Sequence, residues 1–284
     1  RQMCIRDRHA DAAFIDAWRA QLTDPALDAA YRARALALPS EKTLAERMQA
    51  VDPPALAVAR DFLRAELGRQ LAAEFRQAFE QNQTPGEYSP APVPAGMRAL
   101  KNLALSHLLA AGEHDAQRLA EQQYERAGNM TDSMAALSAL INYGQGDFPQ
   151  EALAAFYDKW RDNPLVVDKW FALQAAARST TVQTARELMT HPAFTLRTPN
   201  RARALIFQFC LNNARGMHHP DGTGYAFWAE QVLALDALNP EIAARLARAL
   251  DNWSRFVPAL RTPMQAALQL SLIHISEPTR PLYI

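Results

Sequence analysis

The segment DPPALAVARDFLRAELGRQLAAEFRQAFEQN (52–82) sets the strongest limit on what this chain can become. Leu56, Phe62, Leu63, Leu67, Leu71, Phe75 and Phe79 recur at helical spacing, the last five at every fourth residue. A 3.6-residue turn gathers such positions on one face, whereas a strand would scatter them over two. The spacing predicts one long helix, or two joined helices, with a single apolar face. Stripes of the same kind run through 10–22, 25–38, 42–50, 96–111, 113–126, 131–143, 148–161, 165–177, 181–190, 199–213, 223–237 and 240–253. No run alternates apolar and polar residues convincingly, so strands are expected to be few.

Helix starts carry a repeated signature. Asp24-Pro25, Asp52-Pro53, Asn163-Pro164, Thr198-Pro199 and Asn239-Pro240 each put a capping side chain before a proline. The cap accepts an otherwise unbonded N–H, and proline at the first helical position sacrifices no needed donor. Short helices with brief polar connections imply antiparallel pairs stacked side by side. The expected fold is all-α: an irregular superhelix of antiparallel helix pairs, a HEAT/armadillo-like solenoid without a strict repeat length. TPGEYSPAPVPAG (84–96) is the conspicuous break, expected to be non-helical. It reads either as a linker between halves or as a long loop inside one solenoid.

Composition narrows the function classes. Lys plus Arg and Asp plus Glu number 30 each in 284 residues, so no global field attracts nucleic acid or an anionic membrane. No apolar run approaches the roughly 18 residues of a membrane span, and no signal-peptide core is apparent. Cys4 and Cys210 are the only cysteines, too few for a disulfide framework or a cysteine zinc site. The expected compartment is the cytoplasm. RQMCIRDR (1–8) and SLIHISEPTRPLYI (271–284) contrast with the Ala/Leu/Arg-rich interior and hold four of the eight isoleucines. Both resemble translated sequencing-adapter readthrough, and are expected to be a non-native leader and tail around an internal fragment.

A search for chemistry finds no complete constellation. His9, His107, His114, His191, His218, His219 and His274 form no H-E-x-x-H, the one-turn spacing of a zinc hydrolase. His107 and His114 share a helix face only if Gly112 does not interrupt it, and the adjacent rings of His218 and His219 should diverge. Cys210, within ALIFQFCL, reads as a buried inert thiol. DGTG (221–224) reads as a tight turn before a helix, lacking the lysine of a phosphate loop. In TPNRARAL (198–205), Arg201 and Arg203 fall in the first turns of a helix and oppose its macrodipole. Each therefore calls for compensation: an acidic partner on a neighbouring helix, or a cavity where the charge meets a peptide carboxylate. Glu241 and Arg245 stand four apart in NPEIAARLAR (239–248) and should pair on one face.

The strings AGNMTDSMAALSAL, FYDKWRDNPLVVDKWFALQA, HPAFTLRTPNRARALIFQF and HHPDGTGYAFWAEQVLALDALNPEIAARL resemble, in order and spacing, the C-terminal helical domain of the bacterial aminopeptidase N family, zinc metallopeptidases of the M1 class. The likeness covers about 117–253, and residues 9–116 fit the preceding part of the same domain, so the domain is expected over 9–270 with the loop 84–96 inside it. The resemblance implies an enzyme that removes single residues from peptide N-termini. One zinc ion is expected in a thermolysin-like catalytic domain, held by H-E-x-x-H and a distant glutamate, with a G-x-M-E-N loop for the substrate's amino end. None of these lies in this chain, which is therefore expected to be inactive alone. The resemblance further implies a domain that covers the catalytic cleft, limits access and contacts distal parts of bound peptide. Its partners would be its own catalytic domain and peptide substrates, with no nucleic acid or membrane. Carried over by motif, Arg203, Arg245 and Glu241 are the candidate cavity-lining residues. An independent solenoid scaffold for protein partners is the competing expectation. AGNMTDSMAALSAL (127–140) lacks a Met-Glu-Asn ending. Instead Asn129 or Thr131 should cap the helix that follows, with Asp132 in its first turn and Met134, Leu137 and Ile141 as its apolar stripe.

Overall fold

The computed structural model describes residues 10–274, with side chains through Leu270; the expected leader 1–8, His9 and residues 275–284 of the expected tail lie outside the described residues. In chain order the helices are α1 (Ala12–Thr23), α2 (Ala29–Ala35), α3 (Glu41–Ala45), α4 (Pro53–Gln70), α5 (Ala72–Gln81), α6 (Pro92–Ala111), α7 (Ala116–Arg126), α8 (Met130–Tyr143) and α9 (Phe148–Trp160). There follow α10 (Pro164–Ala175), α11 (Val182–Met189), α12 (Pro199–Ala202), α13 (Gln208–Asn212), α14 (Ala214–Met217), α15 (Thr223–Asp236), α16 (Pro240–Ala247) and α17 (Pro258–His274). A π-helical turn, Arg203–Phe207, separates α12 from α13. Among the described residues there is no strand, only one isolated parallel bridge between Val51 and Phe256. The chain is all-α, as its periodicity requires.

Two compact units divide it. The first holds residues up to Leu44 and Ala55–Asp158; the second holds Ala45–Pro54 and the chain from Lys159 onward. The expected long helix over 52–82 forms as α4 and α5. Their backbone bonds run on through the junction: Leu71 N–H donates to Leu67 O at 2.9 Å, and Phe75 N–H to Leu71 O at 2.9 Å. Leu63, Leu67, Leu71, Phe75 and Phe79 are all buried, with Leu100, Leu105 and Leu108 of α6, in one core cluster. Each such side chain contributes about 1.5–3 kcal/mol by leaving water. Helix α6 is the hub of this unit, packing on α2, α5, α7 and α8. The approach is closest at Gly68, where a Cβ atom would lie 2.2 Å from the backbone oxygen of His107. Only glycine fits there.

In the second unit α15 packs on α11, α16 and α17, and α10 lies against the π-helical turn. Tyr225, Phe227 and Trp228 are fully buried, and the Trp228 indole N–H donates to Leu246 O at 2.9 Å. Asn213 joins three carbonyls, those of Ala175, Ala177 and Thr180, through Nδ2 at 2.9–3.2 Å. Its Oδ1 accepts from Gly216 N–H at 2.9 Å. The segment 45–54 enters this unit through a clasp. Val51 N–H donates to Arg255 O at 2.8 Å and Val257 N–H to Val51 O at 2.9 Å. The Arg255 guanidinium donates to the carbonyls of Ala45, Glu46 and Met48.

Several expectations need correction. Pro53, Pro164, Pro199 and Pro240 do begin helices, and Asn163 and Asn239 cap through their side chains. Thr198 occupies the cap position without a side-chain bond. Asp24-Pro25 instead ends α1 and makes a turn, with Asp24 Oδ1 accepting from Ala26 N–H at 2.8 Å; Asp28 caps α2. Residues 84–96 are not all loop, because α6 starts at Pro92. Prolines in a first turn lack N–H groups the helix would not have bonded. The remaining loop lies inside the first unit, and the division of the chain falls elsewhere. The stripe over 199–213 is not one α-helix but α12, the π-helical turn and α13.

Candidate functional site

The two arginines of TPNRARAL, two residues apart on a helical segment and so on different faces, meet opposite environments. Arg201 is buried, its Nε 2.8 Å from Asp168 Oδ1 on α10, with its guanidinium carbon 5.0 Å from the Phe171 ring centroid. The acidic partner predicted for a cation at this helix start is therefore Asp168. Arg203 is exposed at the first position of the π-helical turn. Among the described residues its one hydrogen bond goes from Nη1 to Asn200 Oδ1, at 3.1 Å. Among the described residues no carboxylate pairs with it. Ala202, Ala204, Leu205 and Ile206 around it are buried, so the backbone carrying Arg203 is fixed while its guanidinium, bonded to Asn200 alone among the described residues, is exposed. A π-helical turn inserts one residue into the ladder and often marks a functional position.

Arg245 and Glu241 lie on the exposed face of α16 and pair as their spacing predicts, Nη2 donating to Oε1 at 2.6 Å. The pair satisfies its own charge. No hydrogen bond or ion pair joins it to Arg203 among the described residues. Arg203 is consequently the candidate with an unused cation, and Arg245 and Glu241 are a self-neutralised pair.

The buried and half-buried histidines among the described residues are individually occupied. His107 is sandwiched between Trp18 and Phe75, with ring centroids 5.5 and 4.7 Å away, and its Nδ1 lies 2.9 Å from Leu103 O. Burial, aided by the nearby Arg64 charge, pushes its pKa down to about 4. Gly112, in the left-handed region at φ 69°, ends α6 before exposed His114. His218 stacks on Phe256 and places Nδ1 3.0 Å from Tyr225 Oη, and burial lowers its pKa to about 4. His219 turns away to Asp221. Among the described residues no three His, Cys, Asp or Glu side chains converge, so they do not fit a zinc ion. Cys210 is buried, which pushes its thiol pKa upward and leaves little thiolate for nucleophilic chemistry. DGTG is a turn: Gly222 has φ 76°, and Asp221 Oδ1 accepts from Thr223 N–H at 2.9 Å before α15. No helix among the described residues is long and apolar enough to cross a membrane.

At AGNMTDSMAALSAL, Asn129 is the cap, Oδ1 accepting from Asp132 N–H at 2.9 Å. Asp132 lies in the first turn as expected and is also buried against Lys101, whose Nζ donates to Oδ2 at 2.8 Å. Asn102 Nδ2 and Asn129 Nδ2 donate to the same carboxylate at 2.9 and 3.1 Å. Burial would raise its pKa, but these bonds and the Lys101 charge hold it below the ordinary carboxylate value. Leu137 is buried as predicted, together with Ala136 and Leu140, while Met134 and Ile141 are only half-buried. An Asp that also completes a buried network is indistinguishable in sequence from one that only favours a helix dipole, because Lys101 lies 31 residues away.

Comparison with known proteins agrees with this architecture. A family model described as "Domain of unknown function (DUF3458_C) ARM repeats" matches residues 2–276. Aminopeptidase N of Caulobacter vibrioides is 39% identical over 272 residues, covering 94% of this chain and 31% of the relative. Aminopeptidase N of Escherichia coli is 38% identical over 89% of this chain and 29% of its own length. A crystal structure of Legionella pneumophila aminopeptidase A, in complex with aspartic acid, matches with a TM-score of 0.84 at 27% identity, over 95% of this chain and 32% of that one. The chain thus spans about three-tenths of the length of the curated relatives it matches. By the extent of the family match and these identities, the chain belongs to the DUF3458_C family of ARM-repeat domains, as found in the C-terminal region of aminopeptidase N.

Proposed function

We propose that this chain is the part of a zinc-dependent M1 aminopeptidase that encloses the peptide cavity and contacts the distal part of bound substrate. The reading assigns the single zinc ion, the base and the amino-terminal binding loop to a catalytic domain of the intact protein. That domain is the chain's partner, peptides are its ligands, and its compartment is the cytoplasm. On this reading it binds neither nucleic acid nor membrane and is inactive alone.

The observation that carries the proposal is Arg203. Its guanidinium is exposed on a rigid, buried-flanked turn and has no carboxylate partner among the described residues. A planar fork of five N–H donors suits a peptide carboxylate or backbone carbonyl. Arg245 and Glu241 would contribute less, because each already bonds the other. In the intact enzyme, Arg203→Ala should raise KM for peptides of four or more residues by roughly tenfold, the equivalent of one charge-assisted bond. Turnover of alanyl or leucyl arylamides, which are too short to reach it, should be unchanged. Equal effects on both substrate classes would remove the distal-contact role. The purified 284-residue chain should hydrolyse neither arylamide; zinc-dependent turnover by it would overturn the division of labour.

A further inference from the structure

Residues 199–212 run as one continuous helical stretch through α12, the π-helical turn and α13. Neighbouring elements enclose most of it: Ala204, Leu205, Ile206, Phe209 and Cys210 are all buried. Beyond its first turn, what stays open is one stripe that returns every fourth residue. Arg203 is exposed, Phe207 is half-buried and Leu211 is 53% exposed. In an uninterrupted α-helix, positions eight apart stand about 80° apart around the axis. The residue that a π-helical turn inserts makes Arg203 and Leu211 equivalent to a pair seven apart, which differ by only about 20°. The turn therefore lines up a cation and two apolar side chains on one open face.

The stripe has a direction. At one end Arg203 donates to Asn200 Oδ1 and has no carboxylate among the described residues. At the other end stands Leu211, with the Phe207 ring between them. Along one edge Asn212 Nδ2 donates to Gln208 Oε1 at 2.6 Å, so the polar border satisfies itself. A lone surface leucine is ordinary. One aligned with a phenyl ring and an unpaired guanidinium makes a surface that is cationic at one end and apolar at the other.

We propose that this stripe seats the carboxyl-terminal residues of a peptide, with the terminal carboxylate on Arg203 and apolar side chains along Phe207 and Leu211. The inference rests on the distal-contact reading above and adds to it a preference for apolar residues near the peptide's carboxyl end. Charge selects the occupant, because a free carboxylate complements an unpaired guanidinium in a planar, two-bond geometry. Length agrees. From Arg203 to Leu211 the helix rises about 10–12 Å, the span of about three residues of extended peptide at roughly 3.3 Å each.

Steady-state kinetics of the intact enzyme on Ala-Ala-Leu-Leu-Ala and Ala-Ala-Gln-Gln-Ala test this. The residue removed and the one after it are the same in both peptides. Paired positions let one side chain face the helix whichever way the strand lies. KM should be about fivefold lower for the leucine peptide. Leu211→Gln, at an exposed position, should shrink that preference to less than about twofold by raising KM for the leucine peptide alone. Amidating the carboxyl end of the leucine peptide should raise KM about tenfold in the unaltered enzyme, and should do nothing further in Arg203→Ala. No leucine preference, or one that Leu211→Gln leaves intact, overturns the proposal even where Arg203→Ala raises KM for both peptides. So does a Leu211→Gln enzyme that melts at lower temperature with its preference unchanged, the result expected if the rest of the protein covers this face. If Arg203→Ala leaves KM for both peptides unchanged, the distal-contact reading itself fails, and the stripe with it.

Discussion

Among the described residues each unit buries one oppositely charged pair, and the two are built differently. In the first, Lys101 and Asp132 are 5% and 6% exposed, and the carboxylate also accepts from two asparagine amides. In the second, Arg201 and Asp168 are 9% and 17% exposed and approach to 2.8 Å, but Arg201 Nε and Nη1 and Asp168 Oδ1 make no hydrogen bond. Coulomb attraction alone seldom repays the desolvation of two ions, whereas a fully bonded network can. The contrast teaches that the first pair is a structural lock, while the second mainly disposes of a charge that helix α12 could not leave at its own positive end.

The largest expected effect tests the lock. Asp132→Ala strands the Lys101 ammonium in the core and should cost about 3–5 kcal/mol in urea unfolding; a loss under about 1 kcal/mol would mean the network contributes nothing. Next comes acid. His107 in the first unit and His218 in the second have folded pKa values of about 4, below the ordinary 6.5. The unfolded chain therefore binds more protons between these values, so stability falls as pH drops from about 6.5 to about 4, by roughly 3 kcal/mol per histidine. Asp132, with its pKa lowered, loses its contribution only at still lower pH, so the windows separate. Urea midpoints that stay flat from pH 7 to pH 4 would show that neither ring is held neutral.

Double substitution sharpens the comparison directly. Lys101→Met with Asp132→Leu removes both ions but strips acceptors from Asn102 and Asn129, and should cost about 2–3 kcal/mol. Arg201→Met with Asp168→Leu should fall within about 1 kcal/mol of neutral, or stabilise. Similar costs for the two pairs would erase the distinction. The smallest effect is expected on the surface, where Glu241→Ala should change stability by about 0.3–0.5 kcal/mol.

Much of this fold is legible in sequence because its causes are local. The spacing of Leu63, Leu67, Leu71, Phe75 and Phe79 needs only the helical period to name a buried face. Asn163 and Asn239 cap the turns that immediately follow them. Asp24-Pro25 has the same letters and fails, because the chain bends to Asp28 before another helix can begin. The site was legible only in part. The Glu241–Arg245 pair is local and foreseeable, whereas which of Arg201 and Arg203 finds an acid depends on Asp168, more than 30 residues away.

The clasp between 45–54 and 255–257 has a consequence for synthesis. Arg255 and Met48 are 207 residues apart, and a chain elongates at about 5–20 residues per second. Val51 thus waits some 10–40 s for the segment that will bridge to it, while the contacts of 55–158 are already available. Closing a span that long also costs about 2 kcal/mol more entropy than closing one a tenth its length. The early segment is a bookmark, placed some 200 residues before the stretch that reads it.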